Sequence, residues 1–205
     1  MPEGSTAPEE RRQQILQAAV RAFARKGYHA CRVSDIAAEA GVAYGLVYHY
    51  FASKEALLQA IFDETWGAML DTIGSVEQLD EPATEQVRKV TEIVLRTWKR
   101  DPDLVRLLVR EVTRNQQLER ETDEIERAFE ALQRIVERGQ AAGEFRSDLD
   151  ARLAATIWYG ALEEVLTGWA LGQLPDAADD VTRAERAVVE IVTGGLAGDR
   201  AAAPA

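Results

Sequence analysis

Few side chains in this sequence could carry covalent or metal chemistry. Among 205 residues there are two histidines, His29 and His49, and one cysteine, Cys31. A lone cysteine closes no internal disulfide and no multi-cysteine metal site. No HxxxH spacing is present to begin a site shared with carboxylates, so neither a metal nor a cofactor is expected. Cys31 and His29 stand two residues apart in a loop, a poor nucleophile and base. Glu163 and Glu164 are adjacent, and helical neighbours point about 100° apart, so they are no ready acid/base pair. GxGxxG, GxxxxGK[ST] and GxSxG are all missing. These observations argue against an enzyme.

Binding chemistry is better supplied. The stretch Val33-Ser-Asp-Ile-Ala-Ala-Glu-Ala-Gly41-Val-Ala-Tyr-Gly-Leu-Val-Tyr-His-Tyr-Phe51 reads as two short helices, Val33–Ala40 and Ala43–Phe51, joined by a tight turn at Gly41. Ile36, Val42, Val47 and Phe51 can close a small core, leaving Tyr44, Gly45, Leu46, Tyr48 and His49 on or near the outer side of the second helix. A helix-turn-helix lays the N-terminal residues of its second helix against base edges in the major groove, here Ala43 and Tyr44. Arg32 and Ser34 at the start of the first short helix, with Tyr48, His49 and Lys54, suit phosphates, which position without reading sequence. The competing reading is ordinary core packing of small apolar residues, with the aromatics inside.

Further along, Arg106, Arg110 and Arg114 fall at i, i+4 and i+8, a basic stripe opposite Leu104, Leu107, Leu108 and Val112. Such a stripe could hold the phosphates of a nucleotide-like ligand whose apolar tail lies among the helices; otherwise it is a solvated face paired with nearby carboxylates. Trp66, Trp98, Phe129, Trp158, Tyr159 and Trp169 are candidate pocket walls, though taken singly each reads as a core residue before it reads as a ligand contact.

The elements positioning these residues all read as helix. Ile15, Ala18, Ala19, Ala22 and Phe23 recur at three and four, and Gly27 ends that helix. After the two short helices, Ser53 caps a helix from Lys54 to about Ile73. A loop from Gly74 to Pro82 separates it from helices at Thr84–Arg100, Pro102–Asn115, Glu121–Ala142, Asp150–Leu171 and Arg183–Leu196, the last with a capping box in Thr182 and Glu185. With no strand and no repeat, the class is all-α: a helix-turn-helix domain over residues 8–53 and a helical ligand-binding and dimerisation domain over 54–198, helix 54–73 connecting them. In the penultimate helix Leu153, Ile157, Ala161 and Val165 lie on a wide apolar arc. With Val188, Ile191 and Val192 of the last helix they suit a two-fold four-helix interface between copies, which Gly160 and Gly168 would let close tightly. A monomer whose core ends there is the alternative.

The net charge of −11, from 24 basic and 35 acidic residues, at first opposes a nucleic-acid partner. Residues 11–54, however, hold seven basic side chains against Asp35 and Glu39, about +5, leaving −16 for the rest. Screening limits exposed charges to about 8–10 Å at physiological salt, so a basic lobe on an acidic body is compatible with DNA. The polar, acidic start is no signal peptide, and no 18-residue apolar run occurs. A soluble cytoplasmic protein without a membrane partner is expected.

Residues 11–65 resemble the DNA-binding domain of the tetracycline-repressor (TetR) family. The resemblance rests on Phe23-Ala-Arg-Lys-Gly-Tyr28, Val33-Ser-Asp-Ile-Ala37, Ala40-Gly-Val42, Gly45-Leu-Val-Tyr-His-Tyr-Phe51 and Ser53-Lys-Glu-Ala-Leu57, in order and at family spacing. It implies a homodimeric repressor of palindromic operator DNA, released by a small-molecule inducer in a helical C-terminal domain whose last two helices pair the subunits. Two positions depart from the pattern. Arg32 replaces a common Thr and brings no capping oxygen; Leu46 replaces a small hydroxylic residue and offers an apolar contact, such as a thymine methyl. A looser resemblance, in Val109-Arg-Glu-Val-Thr-Arg-Asn115, Asp148-Leu-Asp-Ala-Arg-Leu-Ala154 and Gly160-Ala-Leu-Glu-Glu-Val-Leu-Thr-Gly-Trp169, is to the acyl-CoA-responsive repressors of fatty-acid degradation. It implies a long-chain acyl-CoA as inducer. The alternatives are a TetR-type regulator of another pathway, such as efflux with an apolar drug-like ligand, and a helical interaction protein that binds no DNA.

Overall fold

In the computed structural model, residues 7–112 and 122–197 are described. Among them are nine α-helices: α1 (Ala7–Lys26), α2 (Val33–Ala40), α3 (Tyr44–Tyr50), α4 (Lys54–Glu77), α5 (Ala83–Arg100), α6 (Pro102–Val112), α7 (Thr122–Ala141), α8 (Ala151–Ala170) and α9 (Ala178–Leu196). The β pairing among the described residues is a single bridge between Phe145 and Ala197, and the all-α class expected from the periodicity holds. The chain divides into two compact units. The first takes α1, α2, α3, α4 up to Trp66, and α6 from Asp103; the second takes the rest of α4 with α5, α7, α8 and α9. This division runs elsewhere than the sequence boundary between 53 and 54, because Leu107 of α6 is buried in the first unit's core, with Leu104 and Leu108 packed against it.

In the first unit, α1 buries Ile15, Ala18, Ala19, Ala22 and Phe23, the stripe its periodicity marks. α2 contributes Ile36, Ala37 and Ala40, α3 Val47 and the following Phe51, and α4 Leu57, Leu58, Ile61 and Phe62. Gly41 adopts φ 65°, the left-handed conformation that ends α2 and lets α3 begin three residues later. Arg32 precedes α2 without a capping oxygen, and Asp35 compensates: its carboxylate accepts the Arg32 N–H at 2.9 Å. Ser53 caps α4, accepting from the Ala56 N–H at 3.1 Å. Cys31 is buried in this core, and burial raises its thiol pKa.

In the second unit, α4 continues past Gly74, where the sequence suggested a loop. Its last carbonyls find partners: the buried Gln86 amide donates to the carbonyls of Val76, Glu77 and Leu79 at 3.2, 3.3 and 2.9 Å, and Arg138 donates to Glu77 O and to Gln86 Oε1. Satisfied carbonyls and nearby cations suit a helix C-terminus. α9 begins at Ala178, five residues before the sequence start. The predicted capping box is replaced by Asp180, which accepts from the Ala177 N–H at 3.1 Å, while Thr182 bonds back to Ala178 O. Glu185 is instead buried and receives Arg96 of α5 through two bonds of 2.9 and 3.1 Å. Gly168 serves its own chain: a Cβ there would meet Leu174 at 2.6 Å, so its small size admits the chain leaving α8 rather than a second copy.

Candidate nucleic-acid interface and effector site

The helix-turn-helix is braced by ion pairs. Arg21 and Arg25 of α1 both reach Glu39 of α2, at 2.9 and 2.7 Å, and Lys26 reaches Asp35 at 2.6 Å. Arg12 pairs with Glu64 of α4, whose other oxygen accepts from Gln13 at 2.9 Å. The cations hold both α2 carboxylates below their ordinary pKa, Asp35 chiefly through its bond to Lys26 and Glu39 chiefly through Arg21. The basic lobe is accordingly reassessed. Its excess depends on where the window ends, because Glu9, Glu10, Glu55, Asp63 and Glu64 bring residues 7–66 to seven basic against seven acidic side chains, and four of the seven cations are committed to bracing.

On α3 the exposed arc is Tyr44, Gly45, Tyr48 and His49, with Ala43 exposed just before it. Tyr44 and Tyr48 are 54% and 43% exposed, their rings meet edge to face at 5.2 Å, and their hydroxyls lie 3.3 Å apart. That bond raises the Tyr48 phenol pKa. His49 is exposed, its ring edge-on to Tyr50 at 5.2 Å. Arg32 and Ser34 are exposed at the start of α2. Two sequence candidates sit differently. Leu46 is half-buried, about 200° round the helix from Tyr44 at 100° per residue, off the aromatic arc. Lys54 is occupied: its ammonium donates to the carbonyls of Tyr28, His29 and Cys31 at 2.8, 3.5 and 3.2 Å and lies 4.4 Å from the Tyr28 ring centre. It clasps the loop before α2 to the start of α4, so its availability for a phosphate is reduced.

The effector candidates fall in both units. Trp66 is packed against the first unit's core, Arg106 donates to Asp103 at 3.1 Å, and Arg110 is exposed; Arg114 lies outside the described residues. In the second unit Trp158 is fully buried, its indole N–H donating to Thr91 Oγ1 at 3.1 Å. Trp98 is buried too, 6.1 Å from Trp169. Both are core residues by position, held by packing and, for Trp158, by a satisfied polar tip. Phe129 and Tyr159 are half-buried with ring centres 4.6 Å apart, and burial, with Glu163 adding, pushes the Tyr159 phenol up to about 12. Sequence reading missed Glu111, which is 4% exposed with Oε2 lacking a hydrogen-bond partner among the described residues. Its signal was available: it lies seven residues after Leu104, on the apolar side of α6.

α8 and α9 each expose aliphatic side chains. Leu153, Ile157 and Ile191 are 59%, 63% and 75% exposed, and Ala161 and Val165 are half-exposed. Val188 and Val192, assigned to the same face from the sequence, are buried in their own unit with Val181 and Leu196. On α9 the inward stripe is Val181, Glu185, Val188, Val192 and Leu196, and Ile191 stands outside it.

Among the described residues no three His, Cys, Asp or Glu side chains are placed to hold a metal ion, and no helix is long and apolar enough to cross a membrane.

Comparison with known proteins agrees with this arrangement. Residues 15–61 match the family of bacterial regulatory proteins called tetR, and residues 84–191 match the tetracyclin repressor-like C-terminal domain. Over 187 residues the chain is 32% identical to the fatty acid metabolism regulator protein of Bacillus subtilis (strain 168), covering 89% of this chain and 94% of that one. Its fold superimposes on the crystal structure of the transcriptional regulator FadR from Bacillus subtilis in complex with stearoyl-CoA, with a TM-score of 0.77 and 29% identity, over 90% of this chain and 98% of the other. The fatty acid degradation regulator FadR from Bacillus halodurans gives 0.76 and 30% over the same shares. These relatives regulate transcription and are not enzymes. With both of its units accounted for by matching families, the chain belongs to the tetR family of bacterial regulatory proteins.

Proposed function

We propose that this regulator represses transcription as a homodimer on palindromic operator DNA and is released by a long-chain acyl-CoA, placing genes of fatty-acid breakdown under its control in the cytoplasm. The observation that carries the ligand assignment is the similarity, over nine-tenths of the chain, to a regulator solved with stearoyl-CoA. Each copy presents α3 to the major groove, the two half-sites about 34 Å apart or a multiple of that. Ala43, Tyr44 and Gly45 face base edges, joined by Tyr48 through its hydroxyl bond to Tyr44; Arg32, Ser34 and His49 hold phosphates, with Lys54 behind them and Leu46 at the flank. The copies pair through Leu153, Ile157, Ala161, Val165 and Ile191, which their exposure supports, while Val188 and Val192 stiffen the helix that carries Ile191. In the second unit the half-buried Phe129 and Tyr159 are the candidates for the ligand's apolar contacts, with the buried Trp98 and Trp158 behind them; Arg106, Arg110 and Arg114, with Trp66, stay sequence candidates for its phosphates and surroundings.

For the ligand to relieve repression it binds the state that does not hold DNA more tightly, and operator DNA weakens ligand binding by the same factor. The test is a thermal-shift series across CoA and acyl-CoAs of increasing chain length, paired with gel shifts on the intergenic DNA upstream of the chain's own gene. Stabilisation that grows with acyl length, and a shift released by the same compounds and weakened steeply by salt, supports the reading. Stabilisation independent of length, or none, removes the acyl-CoA; no gel shift at any salt removes the DNA.

A further inference from the structure

The exposed arc of α3 is unusual in what it lacks. Tyr44, Gly45, Tyr48 and His49, with Ala43 before them, include no guanidinium, ammonium or amide. Those are the groups that pair bidentately with the major-groove edges of guanine or adenine. The two hydroxyls on this arc are not independent either. At 3.3 Å one donates to the other, and whichever does so, the pair keeps a single O–H for an outside partner. Guanine offers two acceptors to the groove, N7 and O6, and the hydroxyl pair answers half of that signature; the other donor on the arc, the His49 imidazole, stands about 100° further round the helix from Tyr48. Thymine offers one acceptor, O4, beside a methyl group. The ring edges of Tyr44 and Tyr48 and the methyl of Ala43 supply the apolar surface such a methyl needs.

Gly45 adds an independent observation. A Cβ there would meet nothing within 4 Å, and glycine inside a helix costs stability relative to alanine. The fold gains nothing from its bareness, which instead leaves room for a partner approaching from outside.

We infer that the chain reads thymine: the Tyr44–Tyr48 pair acts as one donor to O4 while its ring edges and Ala43 cover the C5 methyl, with Gly45 letting the helix backbone approach. This rests on the DNA-binding reading and names the class of site that reading leaves open.

The test begins with selection of the full-length protein on a randomised duplex library, followed by replacement of each enriched thymine with deoxyuridine, which deletes the methyl alone. The expected half-site carries fixed T·A pairs, and uracil lowers affinity about fourfold at each contacted position, the worth of one buried carbon. Because the hydroxyls work as a unit, the Tyr44→Phe, Tyr48→Phe double variant binds no worse than the weaker single variant. Half-sites fixed by G·C pairs, tolerance of uracil at every position, or additive losses in the two phenylalanine variants would overturn the inference while leaving DNA binding intact. Retention of no duplex, even at low salt, overturns both.

Discussion

The protein exposes large uncharged side chains on two faces, and these are built from different atoms. On α3 the exposed side chains are tyrosines, flat rings with a hydroxyl at the tip. On α8 and α9 the large exposed hydrophobic side chains are Leu153, Ile157 and Ile191, aliphatic groups with no polar atom of their own. An amphipathic ring suits a partner that is wet and charged on one side and apolar on the other. An aliphatic patch suits a dry surface like itself, which a two-fold axis supplies. The bracing differs in the same sense. The first unit spends four of its cations holding α1, α2 and α4 together, and the exposed arc of α3 carries hydroxyls and an imidazole. The second spends arginines on the end of α4 and on buried Glu185. Exposure alone does not tell what a surface meets; the chemistry of the exposed atoms does.

The contrast can be broken most forcefully at the aliphatic face. Ile157→Asp with Ile191→Asp should weaken self-association by roughly a thousandfold or more, since unpaired carboxylates would be desolvated, while each copy keeps its melting temperature. Sedimentation velocity reads both species, and an unchanged dimer would assign this face to something else. Next in size, Tyr44→Ala should cost about 1–3 kcal/mol of discrimination between operator and random DNA; equal losses on both, measured by competition binding, would remove it from base reading. Lys54→Ala carries two expected effects. Uniform weakening on all DNA follows if the ammonium reaches a phosphate, and loss of its three carbonyl bonds should lower the first unit's stability by about 1 kcal/mol, read by urea unfolding. Gly45→Ala separates fold from function: the fold should gain about 0.5–1 kcal/mol, while DNA affinity falls. Gain in both would mean nothing approaches the helix there. The smallest effect is acid loosening of the first unit. Asp35 and Glu39 titrate lower folded than unfolded, so their contribution is present above the ordinary carboxylate pKa of about 4 and is lost as pH falls through their depressed folded values. Amide exchange in α2 between pH 5 and acid conditions near pH 3 should rise first, and Glu39→Gln should abolish part of that dependence.

The sequence exposed the α1 stripe and the Gly41 turn because single-helix periodicity records one buried face and glycine marks where it ends. It misplaced Val188 and Val192 because an apolar residue on a helix looks the same whether it faces its own unit or a second copy; Ile191, between them in sequence, differs only by rotation. The start of α9 and the end of α4 escaped for a related reason. The end of α4 rests on partners distant in sequence, Gln86 and Arg138; at α9 the capping role expected of Glu185 fails because Arg96 draws it inward, and the true cap is the local Asp180. The +5 window was arithmetically correct, yet it could not show that Arg21, Arg25 and Lys26 close on α2 of the same chain rather than facing outward alone. On α3 the tyrosines were legible by type and spacing; that their hydroxyls meet was not.

Cys31 gives the molecule a built-in clock. Its thiol is shielded by the first unit's core and kept protonated by that burial, and it has no sibling elsewhere in the chain. A thiol reagent can therefore modify the folded protein only when that core opens, at one position and once per copy. The labelling rate counts openings of the reading head, and the difference made by DNA or by an acyl-CoA would show whether either partner holds that head shut.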